Sequence, residues 1–504
     1  MKTRQDTPSP PKGHHGGLRS NALGFPPLVA QSIALISPTM TAVLIIALAF
    51  SDAGRATWLA YAFGTVMLLF VVLGLNQFAS RSASAGSMYA YTGKGLGPKA
   101  GVMSGWTLIW CYMFIGIAGL SGFCVFANQF LGAIGIHTTL PTILLFAISA
   151  SLCWFVAYKD IRISSLLMLA LEAISVTFIL GLAFIVLFKH GFTIDTQQLT
   201  LKGSSIHGLS FAVVITIFSL VGFESATTLG GEAKNPLKNV PKAVIWSLLL
   251  TGAFMVFMSY IEVFATRHSG ASLGSMSIPL STISDIYKVS WFKAPIALGA
   301  MVSFFSLSLS CLNAGSRIVY RMGRHDVFPH ASGRAHPKHQ TPYVAITAFI
   351  AVMFIIPTVL QLWTNPLTTF DDAGTLAAFG FLTAYFLIAI AAPMYLKKLG
   401  ELKTRNIVIA VIGFVCLLVP TIGSFYPAPP WPVWSYPYIF LGYMAVGGIW
   451  LFIRSRRQVG LLAEIEADLE APTVEGEGGL AAPNVIDLTT PALSPDKPVL
   501  AQLS

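Results

Sequence analysis

Uninterrupted apolar stretches of about 20 residues, recurring from about residue 27 to about residue 454, constrain this chain more than any other feature. Each is long enough as a helix to cross a hydrocarbon core of roughly 30 Å. No water-soluble domain could hide them, because 55% of the 504 residues are hydrophobic and only 10% are charged, too little polar surface to wrap such a core. Spans are expected near 27–50, 57–80, 100–133, 139–158, 161–188, 206–233, 241–266, 293–322, 341–363, 372–397, 406–425 and 433–454, about twelve in all. Barrel strands would alternate apolar and polar residues, and runs such as LGLAFIVLFK and AVLIIALAF do not, so helices are the spanning structure left. The expected class is an all-α membrane protein.

An even number of spans returns both ends to one side. Arg81, Lys94, Lys99, Lys159, Arg162, Lys234, Arg317, Arg321, Arg324 and Lys397, among others, are assigned to loops of one parity, and Arg55, Lys189, Lys202 and Arg267 to the other. Basic loops stay inside, so both termini are expected in the cytoplasm, with the multi-pass body in the plasma (inner) membrane. The net charge of +10 is spread over short loops with no basic patch interleaved with aromatics, which argues against a nucleic-acid partner. The opening MKTRQDTPSPPKGHHGG has no apolar run of leader size behind it, so the first span is read as an anchor. Three regions are expected: an N-terminal tail over 1–20, a transmembrane body over 21–457, and an acidic, Pro- and Gly-rich tail over 458–504. That tail reads as disordered and solvated, with a short amphipathic start, LLAEIEADLE, that could be helical and dock or signal.

Catalysis is not expected. All ten histidines fall in loops, tails or span ends, and no H-E-x-x-H pair or G-x-S-x-G elbow occurs. The five cysteines lie inside spans without C-x-x-C spacing, so neither a metal site nor a cofactor is predicted. No ring of charges or carbonyl filter repeat points to a channel.

Two spans are interrupted in the middle. The first, LVAQSIALISPTMTAVLIIALAF, contains Ser37, Pro38 and Thr39; proline there cannot donate a backbone bond and crowds the preceding turn. The sixth contains Gly222 and Glu224 within SLVGFESATTLGGEA. Either defect alone reads equally as a kink or a packing residue. Together they occupy matched positions of two five-span halves, the arrangement of an inverted-repeat transporter whose substrate site lies where the breaks meet. Unwound backbone survives in a membrane only when buried in protein or lining a wet cavity. Its half-helix N-termini suit a carboxylate and its loose carbonyls an ammonium or cation.

The segment GFESATTLGGEAKNPLKNVPKAV resembles the broken sixth helix and E-x-x-N-P link of the amino acid-polyamine-organocation (APC) permeases. GSMYAYTGKGLGP, over 86–98, is similar to their connection from the second span to the third, and CLNAGSRIVYRMGRHDVFP, over 311–329, to the end of the eighth span and its loop. The resemblance covers residues from about 20 to about 400. It implies the leucine-transporter fold, with 5+5 inverted repeat and broken helices 1 and 6, and secondary transport of an amino acid or related amine by alternating access. The chain departs where the family carries Gly-Ser-Gly in the first break: Pro38, Thr39 and Met40 stand there. Glycines let backbone approach a substrate carboxylate closely, so contact through the Thr39 or Thr41 hydroxyl is expected instead.

The substrate-binding set expected from the two breaks is Ser37, Pro38, Thr39, Met40 and Thr41 with Phe218, Ser219 and Gly222, joined by Tyr112 of the third span and Tyr385 of the tenth. Phe218 reads as an aromatic gate or as plain bulk. Three carboxylates, Glu172, Glu224 and Glu262, lie well inside spans, where a charged side chain costs roughly 2.5 to 3.5 kcal/mol. Glu224 reads as a gating, proton-sensitive group or as a helix cap. Glu172 stands about where relatives without sodium coupling carry a lysine, by the resemblance. It reads as a proton carrier, since a carboxyl removed from water takes up a proton more readily, as part of a cation site with Ser308 or Ser310, or as a neutral acid satisfied by a neighbouring helix. Glu262 is expected to pair with Arg267 at the interface. The favoured function is proton-coupled import of an amino acid. Alternatives are an amine or polyamine exchanger of the same fold and a transporter-like sensor signalling through its tail.

Overall fold

The computed structural model describes residues 18–82, 86–267, 272–426 and 430–470; most of the expected N-terminal tail and all of the chain beyond residue 470 lie outside the described residues. The helices used below are α1 (Phe25–Ile36), α2 (Ile46–Ala53), α3 (Thr57–Ala79), α4 (Ser87–Leu96), α5 (Pro98–Ala133), α6 (Thr142–Lys159) and α7 (Ile161–Lys189). They continue with α8 (Ile206–Leu220), α9 (Pro236–Thr266), α10 (Lys293–Arg324), α11 (Tyr343–Leu360), α12 (Pro366–Lys398), α13 (Thr404–Gly423), α14 (Tyr436–Arg457) and α15 (Leu461–Glu470).

Local chemistry starts these helices where the sequence allows it. Prolines that need no donor partner open α5, α9 and α12. Asp160 caps α7 by accepting from the Arg162 N–H at 2.7 Å, and Asn365 caps α12 through the Thr368 N–H at 3.0 Å.

Eleven helical segments among the described residues are long and apolar enough to cross a membrane. The first, Phe25–Ala79, has 55 residues, and at about 1.5 Å per residue it is more than twice as long as one crossing requires. It contains both of the first two expected spans, with Gly54 at φ +55° between them, which accounts for eleven segments against about twelve expected crossings.

The centre is built on α5 and α10, flanked by α12, α7 and α1, while α3, α8 and α9 form a second group. Gly119 and Gly122 of α5 face Ser308 and Phe304 of α10, and a Cβ at either position would collide with those side chains. Small residues let helix backbones approach where lipid supplies no hydrophobic drive. Phe126 and Phe304 stack across the same contact at 5.5 Å. The rim is apolar outward: Ile407, Val408, Val411 and Val415 of α13 are all exposed. A rim of this kind on so many crossing-length helices belongs in lipid; the protein is a multi-pass membrane protein.

Candidate functional site

Helix α1 stops at Ile36, where Ser37 takes a left-handed conformation at φ 52°, and a single turn, Pro38–Met40, precedes a π-helical stretch over Thr41–Ile45. Pro38 explains the stop, since it removes an N–H and excludes α geometry from Ser37. Helix α8 stops at Leu220, Gly222 sits at φ 104°, and Phe223–Glu232 continues as a 3-10 helix. Gly222 is required there twice over: that φ disfavours any L side chain, and an added Cβ would strike the Leu35 side chain.

The two interruptions face each other. Ser32 donates to the Phe223 carbonyl at 2.6 Å and accepts from the Ala226 N–H at 3.0 Å, and Ser225 donates to the Gln31 carbonyl at 3.1 Å. Serine hydroxyls of each segment thus bind backbone groups of the other. Residues Ser37 to Thr41 and Gly222 to Gly230 are all buried. A recess of about 520 Å³ lies instead on the outer face between α3 and α9, lined by Trp58, Thr65, Gly252 and Tyr260, away from both interruptions.

Each interruption carries an acid. Glu172 of α7 accepts from the Thr39 hydroxyl at 3.0 Å and from Ser303 of α10 at 2.6 Å; Thr39 also meets Ser175 at 2.7 Å, and Ser37 meets Ser303 at 3.3 Å. At the other, Glu224 accepts from the Tyr112 hydroxyl at 3.0 Å and from Tyr385 at 2.6 Å, and Tyr385 in turn accepts the Gly222 N–H at 3.2 Å. Phe223 stacks on Tyr385 at 5.1 Å. Both carboxyl groups hold hydrogen bonds to hydroxyls on separate elements, arrangements that can hold or exchange a proton without exposing an ion to lipid.

Other expected site residues make different contacts. Ser219 donates to the Ile215 carbonyl of its own helix at 2.9 Å, Phe218 is half-buried against the core, and the buried Thr41 hydroxyl has no hydrogen-bond partner. Ser308 donates to the Gly116 carbonyl and Ser310 to the Gln31 carbonyl, so neither joins Glu172. Ser303 does, being two helical turns before Ser310 on the same face. Glu262 does not pair with Arg267: Arg267 binds Asp195 at 2.6 Å, while Glu262 is fully buried with both oxygens unpartnered. Arg317, assigned above to a loop, is buried within α10 and forms a two-pronged ion pair with Glu232 at 2.5 and 3.0 Å. Gln31, Ser32, Ser175 and Ser303 carry no distinguishing signal in the sequence, because hydroxyls and amides recur along these spans without periodicity. An acid closing a span, Glu232, and a basic residue one helical turn inside another, Arg317, were the available signal for the pair.

Residues 28–446 match the family model for amino acid permeases. The chain belongs to that family. This permease is 26% identical over 387 residues to the branched-chain amino acid permease BcaP of Bacillus subtilis, covering 73% of this chain and 78% of the relative. It is 27% identical over 357 residues to cationic amino acid transporter 4 of Mus musculus, covering 67% of this chain and 54% of that protein. It is 24% identical over 333 residues to the low-affinity putrescine importer PlaP of Escherichia coli, covering 64% and 71%. Family and relatives are transporters, which sets the permease apart from enzymes.

Proposed function

We propose that this protein is a secondary active transporter that imports an amino acid by alternating access, driven by protons, with its substrate held between the interruptions at Ser37 and Gly222. The observation that carries the reading is the mutual engagement of these two segments, Ser32 on Phe223 and Ser225 on Gln31, each with a buried acid beside it. Paired interruptions at the fifth-span offset suit two inverted five-span halves, twelve crossings and a body over 21–457, between cytoplasmic tails, in the plasma membrane.

In this reading Ser37, Pro38, Thr39, Met40 and Thr41 form one wall of the site and Phe218, Ser219, Gly222, Tyr112 and Tyr385 the other. Thr39 hydrogen-bonds Glu172, so a proton gained or lost at that acid is felt at the first wall. Glu224 gates the second wall through its two tyrosines. The buried state of both segments fits an occluded form that substrate enters only after rearrangement. Glu224 also favours a second reading, exchange of amines or polyamines, because a carboxylate at the break can exchange its phenol donors for an ammonium.

Purified protein in liposomes, offered labelled amino acids and amines under imposed proton or sodium gradients, tests both readings. Proton-driven accumulation of an amino acid is expected, and Glu172→Gln should abolish that accumulation while retaining counterflow. Accumulation by Glu172→Gln in response to a pH step removes proton coupling through this acid. Absence of uptake or counterflow for every compound removes the transport reading.

A further inference from the structure

The tail segment LLAEIEADLE is not a solvated strand of charge. Gly460, at φ 95°, turns the chain after α14, and α15 lies back against α4, α5 and α14. Leu461, Ile465 and Leu469 recur every fourth residue and are buried, while Glu464, Glu466 and Glu470 face outward. Leu469 rests on Gly93 of α4 so closely that a Cβ there would collide with it. A ten-residue helix is too short to persist in water unaided, so docking and helix formation are one event.

The polar edge is as specific as the apolar one. Asp468 accepts from Arg321 and from His325 Nε2, the latter at 2.7 Å, and the Tyr89 hydroxyl of α4 meets His325 Nδ1. A neutral imidazole satisfies both contacts, donating to Asp468 and accepting from Tyr89. Lys94 and Arg324 add positive charge opposite the acidic helix. Beneath it, α4 packs on the 3-10 segment of the second interruption, and Ser87 bonds the buried Thr227. A continuous line of contacts therefore runs from the tail to Phe223–Glu232.

We propose that α4 and the end of α10 form a docking surface for an acidic amphipathic helix, that Leu461–Glu470 is its occupant, and that occupation restrains opening of the transport path at this end. The inference rests on the transport reading, but its test does not need a substrate. Thr227→Cys in the otherwise full chain would be alkylated by a soluble maleimide only when this end opens. Alkylation is expected to be several-fold faster with Ile465→Asp or Asp468→Asn added, with amide hydrogen-exchange protection over 461–470 lost. Unchanged alkylation despite lost protection overturns the restraint, and retained protection in both variants overturns the docking surface. Asp468→Asn keeps the test available where Ile465→Asp fails to fold. Failure of the transport reading would appear separately, as absence of uptake by the unaltered protein.

Discussion

At Gly222 two demands coincide, a φ of 104° and the Leu35 side chain where a Cβ would stand. Gly222→Ala is therefore expected to cost about 1–3 kcal/mol from backbone strain alone, with more from the displaced leucine, and to lower both the thermal transition of the purified protein and its uptake rate. A Tm and uptake equal to those of the unaltered chain would contradict the strain argument. The acids divide differently between sequence and structure. Glu172 and Glu224 were legible because a carboxylate stands out in an apolar run. Their partners were harder to read: Ser303, Ser306, Ser308 and Ser310 all lie on α10, a helix buried through this stretch, and no polar face indicates which serine turns toward α7. Tyr112 and Tyr385 were expected near the centre, but only the folded chain brings both onto one carboxylate.

Between elements, the buried Arg317–Glu232 pair joins α10 to the segment after Gly222. Removing one partner leaves the other charged and buried. Arg317→Met is thus expected to destabilise the protein by about 3–5 kcal/mol, whereas Arg317→Met with Glu232→Leu should recover most of that loss, as read by thermal unfolding in detergent. A double variant no more stable than the single one would contradict this account.

Docking of α15 carries its own pH dependence. Burial holds the His325 imidazole below its ordinary range, with Arg321 and Arg324 acting in the same direction and Asp468 opposing them. Burial pushes the Asp468 carboxyl up, but the His325 hydrogen bond and the charges of Arg321, His325 and Arg324 outweigh it and hold it at about 2. Arg321 and Arg324 belong to α10 and stay beside His325 when α15 leaves, whereas Asp468, which opposes them, departs with it, so undocking alone does not return His325 to its ordinary range. Asp468 is held at about 2 when docked and returns toward its ordinary value of about 3.9 when α15 leaves, so its contribution is complete above about 4 and is lost as pH falls through about 2. Tyr89 and Lys94 of α4 also face this cluster, and neither changes charge below pH about 4 in its ordinary range. Hydrogen-exchange protection over 461–470, corrected for intrinsic rates, should therefore fall as pH drops below about 4, and Asp468→Asn should flatten the response.

For the whole molecule, the crossing pattern yields a sidedness test. Val459→Cys, beyond α14, should react with an impermeant maleimide from the cytoplasmic side, and Lys202→Cys, between α7 and α8, from the opposite side. Labelling of both from one side would overturn the odd number of crossings expected between these two positions. The helical class and nearly every span were legible from apolar length alone, because lipid admits few alternatives. Apolar length could not reveal that α15 docks: LLAEIEADLE buries only one face, and its acids resemble a solvated tail until Arg321 and His325 are placed opposite Asp468.

The glycine face of α5 against α10 bears on motion as well as on packing. Two rods packed at Gly119 and Gly122 with no room for a Cβ between them are expected to resist sliding and to act as a chassis for the lighter elements. On the transport reading proposed above, the size of molecule admitted is then set by how far those elements can lean from the chassis.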